Sequence, residues 1–317
     1  MHVLGQEAVD AQRLAFAFAS TALLTAGAAA CVQPNDDPHP VARALPTAAD
    51  VRIELPDSAS ARTPVIGELA EWYVATRDVT RGLNGGTGLV LGLVHTIVQF
   101  PPTSVDGATY TWGPHHDALD PAEWQLIVTE LADGSYDWHL DGRSRTAVDA
   151  QFETIIDGNA HDGGTGRFDF DFDAAERVNP RENDGHGQIG ATYDIPARTL
   201  DMDIDTIEDR LGTPTAIHFD YTYAEAADGA GDMVFSIYGD TDDLGAAPEE
   251  VTLRSRWLAT GAGRADVRLR GGDTGAEVTA SECWDRSFLR VFYADSVNWQ
   301  APEGAVAACA FADQDLP

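Results

Sequence analysis

From Thr109 onward the apolar residues recur at every second position. Phe168, Phe170 and Phe172 alternate with Asp169, Asp171 and Asp173, and Leu200, Met202 and Ile204 alternate with Asp201, Asp203 and Asp205. Ile217, Phe219, Tyr221 and Tyr223 do the same against His218, Asp220 and Thr222. Period two places the two sets on opposite sides of a pleated strand, so each segment predicts a strand with one buried and one solvated face. Short turns such as Asp133-Gly134, Asp228-Gly229 and Gly271-Gly272 separate these segments. Connections this short predict antiparallel pairing of neighbours in sequence. Roughly a dozen or more strands do not stay in one flat sheet. The expected fold is α+β and mostly β: a long antiparallel up-and-down sheet curled into a barrel or half-barrel.

What the sheet curls around is read from the segment before it. Thr63-Pro64 predicts a helix start, with Ile66, Leu69, Ala70, Tyr73 and Val74 at helical spacing. Asn84-Gly85-Gly86 predicts a turn, and Leu89, Val90, Leu91, Leu93, Val94, Ile97 and Val98 predict a second arm that is apolar on nearly every side. Such an arm has to be enclosed. The expectation is a helical hairpin over residues 63–102, part of a domain whose antiparallel β portion runs over 103–317.

The N-terminus reads as an address. Arg13 precedes an apolar run from Leu14 to Ala30 made largely of Ala, Leu and Phe, and Cys31 ends it. The run is short of the ~20 apolar residues a membrane span needs and ends in small residues, as an export signal does. Residues 1–30 are therefore expected to be a signal peptide. The stretch Leu24-Thr25-Ala26-Gly27-Ala28-Ala29-Ala30-Cys31 resembles the lipobox of bacterial lipoprotein precursors. That resemblance implies a lipid on Cys31, an exported envelope protein facing the periplasm or outer membrane, and a membrane partner through the lipid; the alternative is a secreted protein. Residues 31–62, rich in Pro, Ala and Asp, predict a tether. Of the three cysteines, Cys283 and Cys309 remain as a natural disulfide pair at the C-terminal end of the β domain.

Charge excludes several functions. With 52 acidic residues against 20 basic ones the formal charge is −32, so phosphate backbones are repelled and nucleic acid is not an expected partner. Every one of the basic residues is Arg. Without lysine the chain cannot build a P-loop, a Schiff base or a Ser-x-x-Lys acyltransferase.

Three candidate sites follow. The overall outline resembles the periplasmic half-barrel carriers of lipids and lipoproteins, which implies a non-enzymatic protein binding an apolar small molecule or an envelope protein in the concave face. Val90, Leu93, Val94 and Ile97 of the enclosed arm are the candidate ligand-binding residues, with a purely structural or assembly module as the alternative. Asp203-Ile204-Asp205-Thr206-Ile207-Glu208 is similar to the Glu-x-Asp-x-x-Glu strand of laminarinase-like β-jelly-roll glycosidases. The resemblance implies Asp203 as nucleophile, Asp205 as its orienting partner and Glu208 as acid. That chemistry needs two carboxyls about 5–5.5 Å apart and hence a bulge between them. No cofactor is expected; calcium is the alternative, with Asp240, Asp242 and Asp243 at the start of an EF-hand-like run as its candidate ligands.

Overall fold

The computed structural model describes residues 40–45, 47–49, 51–55, 69–116, 118–210, 213–240, 247–272 and 275–317. The signal segment, Cys31, Thr63-Pro64, Asp242 and Asp243 lie outside the described residues. Among the described residues fifteen strands, β1 (Ser104–Asp106) to β15 (Glu303–Gly304), form one antiparallel sheet in which every strand pairs with its neighbours in sequence. The sheet is open, because β1 and β15 do not pair with each other. The barrel alternative is thereby corrected.

Register turns the period-two pattern into continuous rows. Leu140, Ile156, Phe170, Ile189, Ile204, Phe219, Ile237, Val251, Leu269 and Val278 face one another in turn across ten strands, forming an inner apolar face. The row beside it on the outer face reads His139, Asp157, Asp169, Gly190, Asp203 and Asp220. Like charges directly opposite repel, and local partners offset this. Arg167 pairs with Asp169 and lies 3.9 Å from Asp157, while His218 sits 2.9 Å from Asp205 and 3.3 Å from Asp220. Gly190 separates Asp169 from Asp203 by one strand.

Two helices precede the sheet. The first, α1 (Pro40–Ala44), begins with Pro at the position where a missing N–H costs nothing. Val41, Leu45, Val51 and Ile53 are buried in the core. Residues 40–45 and 51–55 are thus part of the domain, which corrects the expectation of a tether running to residue 62. The second, α2 (Glu71–Val98), is one unbroken helix of 28 residues, about 42 Å long. The expected hairpin is not formed, since Asn84, Gly85 and Gly86 lie inside it. Asn84 accepts from the Ile53 N–H at 2.8 Å and donates to the Ile53 carbonyl at 2.9 Å, so its amide serves residues 51–55 and not a turn. Burial of Leu83, Thr87, Val90 and Leu91 outweighs the roughly 1 kcal/mol that each interior glycine costs a helix.

The inner face meets α2 along its length. Glu282 of β13 (Val278–Trp284) receives the first N–H groups of the helix. Further along, Thr76 bonds Ser255 of β11 (Glu249–Trp257) at 2.8 Å. Just beyond the helix, the Phe100 carbonyl accepts from the Trp112 indole of β2 (Thr109–His115) at 2.7 Å. The chain after β15 folds back over the outer face. Cys283 and Cys309 form a disulfide with 5.4 Å between Cα atoms, Arg264 donates to the carbonyls of Phe311 and Ala312, and Asp315 pairs with Arg254. Arg254, Arg256 and Arg270 are committed to Asp232, Asp266 and Glu250 respectively.

One outer-face network couples stability to pH. Asp141, nearly buried, accepts from His139 Nδ1 at 2.7 Å, Thr154 Oγ1 at 2.9 Å and Gln125 Nε2 at 3.1 Å. The hydrogen bond to Asp141 raises the His139 pKa above the ordinary imidazole value. A raised folded-state pKa contributes stability that is complete below the unfolded value of about 6.5 and is lost as pH rises through the folded one. Urea midpoints are therefore expected to fall as pH is raised above about 6.5, and His139→Gln to flatten that slope. His186 and His218 are raised by their carboxylates with the same sign, so some slope persists. An unchanged slope in the variant would remove His139 from the linkage.

Candidate functional site

Between α2 and the inner face lies a cavity of about 70 Å³ with almost wholly apolar walls. The helix contributes Gly82, Leu83, Gly86, Thr87, Val90 and Leu93. The sheet contributes Trp124 from β3 (Ala122–Glu130), Leu140 from β4 (Tyr136–Ser144), Ile155 and Ile156 from β5 (Glu153–His161) and Phe168 and Phe170 from β6 (Thr165–Asp171). Ile189 of β7 (Gly187–Asp194) and Met202 and Ile204 of β8 (Thr199–Arg210) complete it. Except for Ile155, the unpaired residue at a register shift between β4 and β5, the sheet residues are the inward members of the period-two pattern, delivered to one place by the register.

Gly86 lines this space. A Cβ added there would meet nothing within 4 Å, whereas one added at Gly88, on another side of the helix, would lie 3.8 Å from the Ala48 Cβ. The helix is thus met by Ala48 and Ile53 on one side and faces the cavity on another.

One end of the cavity is covered by α3 (Phe172–Val178) and the loop that follows it to β7. The alternation through Phe172 and Asp173 predicts a strand there. The strand stops at Asp171, whose side chain instead accepts from the Ala174 N–H at 2.9 Å and caps α3. Asp173 then ties the far end of the loop back, accepting from the Gly187 N–H at 3.3 Å and pairing with His186 Nδ1 at 2.9 Å. That pairing holds the Asp173 carboxyl below the usual carboxylate range. Within the loop the Asn183 amide donates to the Asn179 carbonyl at 3.1 Å, and the Asn179 amide donates to Glu182 Oε2 at 3.0 Å. Glu182 and Asn183 line the cavity.

Of the residues read from the sequence as ligand-binding, Val90 and Leu93 line the cavity. Val94 is buried in the core and Ile97 packs against it, so both belong to the support of the helix. Gly82, Gly86 and the segment 172–183 carry no sequence signal that marks them as site residues. A local signal exists only for α3, in Asp171 standing three residues before Ala174 as a capping residue does.

The glycosidase arrangement is not formed. Strands β8 and β9 (Thr213–Glu225) pair without a register shift from Thr199 to Arg210, so positions 203 and 208 have opposite parity and the required bulge is absent. Asp203 and Asp205 lie on the exposed outer face beside His218. Their ligand atoms come within 4.8 Å of those of His218, as do those of Asp173, Glu176 and His186 with one another, and these are the sets of described residues that could hold a cation. In both sets the carboxylate–imidazole bonds themselves account for the approach. Of the calcium candidates only Asp240 is among the described residues.

Fold and site together define an open antiparallel-sheet protein with a helix-covered apolar cavity. No protein-family model, curated protein or solved structure matches the chain.

Proposed function

We propose that this is an envelope lipoprotein, exported and anchored through Cys31, that binds an apolar small molecule between α2 and an inner face bent around it as a half-barrel. The observation that carries the reading is Gly86. A helix interior disfavours glycine by about 1 kcal/mol relative to alanine, yet here glycine stands where a side chain would enter an apolar space with no neighbour in reach. A chain selected only for packing would fill that space, since each buried methylene stabilises by about 0.8 kcal/mol. Large apolar side chains, three of them Phe, complete a wall suited to an alkyl or ring surface.

The test is native mass spectrometry of the exported chain, carrying Cys31→Ser behind a cleavable signal so that no detergent is required, followed by organic extraction. One apolar molecule per chain is the expected result. A bare mass, together with no uptake of added apolar probes, would leave the sheet as a structural or assembly module.

A further inference from the structure

Resting on the cavity reading, we infer that the ligand carries a hydrogen-bond-donating head, an amine, hydroxyl or amide, and that the site discriminates against carboxylates. The polar groups at the cavity wall divide unevenly between donors and acceptors. The side-chain donors are engaged: Thr87 Oγ1 donates to the Leu83 carbonyl at 2.9 Å, Trp124 Nε1 to Asp120 Oδ2 at 3.3 Å, and Asn183 Nδ2 to the Asn179 carbonyl at 3.1 Å. What is offered inward is acceptor capacity. Glu182 brings a carboxylate to the exposed mouth. Behind it, outside the lining, the buried Asn179 holds Glu182 Oε2 with its Nδ2 at 3.0 Å. A carboxylate only accepts, so the remaining capacity of Glu182 is met by donors alone. A donating head is therefore matched to the Glu182 carboxylate at the wall, and an anionic head is not.

The surrounding charges agree. Arg177 is bound to Glu153 at 2.8 Å, Arg181 is exposed and outside the lining, and His186 is held by Asp173 and lies 3.5 Å from Glu176. An anionic head would therefore meet Glu182 with no cationic side chain among the described residues of the wall, inside a chain of net charge −32.

The experiment uses the exported chain carrying Cys31→Ser, loaded with the neutral fluorophore N-phenylnaphthylamine and displaced by octylamine, octanol or octanoate at neutral pH. Octylamine is expected to displace the probe at about tenfold lower concentration than octanoate, with octanol between them. Glu182→Gln, a change at an exposed position that leaves the core intact, should narrow the amine-to-carboxylate ratio to about threefold. Octanoate binding as tightly as octylamine would overturn the head-group inference while the cavity reading stands. An amine preference unchanged in Glu182→Gln would overturn Glu182 as its source. Failure of the probe and of all three amphiphiles to bind would overturn both the cavity reading and this inference.

Discussion

Replacing Gly86 with leucine is expected to abolish ligand binding and, at the same time, to stabilise the fold. Both effects have one cause. The side chain would enter the space between α2 and the Phe168, Phe170 and Ile189 wall, where nothing lies within 4 Å of the new Cβ. Leucine is a better helix former than glycine by most of 1 kcal/mol, and burying its side chain contributes ~1.5–3 kcal/mol. With part of that gain lost to imperfect fit, a net stabilisation of about 2 kcal/mol follows. The control is Gly85→Ala, at an exposed position of the same helix. It should raise stability by up to about 1 kcal/mol and leave binding intact. Urea unfolding and probe titration on the two variants separate the contributions. A destabilised Gly86→Leu protein with unchanged binding would show that the space is not there.

Glu282→Ala is expected to be the most damaging single substitution away from the cavity, costing about 3–5 kcal/mol in urea unfolding. Glu282 is 0% exposed and accepts from the backbone N–H of Glu71 at 3.1 Å, from that of Trp72 at 2.6 Å and from Arg290 Nε. Helix α2 has no capping side chain of its own, because Ala70 occupies that position. The sheet supplies the cap from more than 200 positions away, and the carboxylate also faces the positive end of the helix dipole. Burial pushes the Glu282 pKa up, and the Trp72 N–H and Arg290 pull against it. Alanine would leave a buried arginine and two helix N–H groups without this acceptor. Glu282→Gln keeps the shape and loses the charge, so roughly half the cost is expected. Amide exchange should quicken first at residues 71–76, while the far end of the helix near Phe100 keeps its protection. A loss below about 1 kcal/mol for alanine would mean that the cap is dispensable.

The outward and inward faces of the strands are legible in the amino-acid pattern. Alternation of Phe, Leu, Met and Ile with Asp is set by the pleat alone, and short turns leave neighbouring strands one way to pair, so the antiparallel up-and-down order follows from local sequence. The apolar run of the helix likewise places Val90 and Leu93 against the sheet. Local pattern fails where a local preference meets a distant partner. Asn84-Gly85-Gly86 favours a turn in isolation, but the amide of Asn84 is claimed by Ile53 and the flanking side chains by the inner face. Phe172 continues a strand pattern, but the Asp171 carboxylate finds the Ala174 N–H and starts a helix. Residues 40–55 look like a proline-rich coil until Val41 and Ile53 are seen to have a core to enter.

Periodicity is a property of consecutive residues, so strand identity, face and order are local facts that the amino-acid pattern carries. Which space stays empty is a property of many residues brought together at once. The cavity exists because Gly86 on one helix faces side chains from six strands, and its one carboxylate is there because Asp171 ends a strand and starts the helix whose following loop carries Glu182. Those coincidences depend on three-dimensional register and on closing long stretches of chain, and no window of sequence contains them.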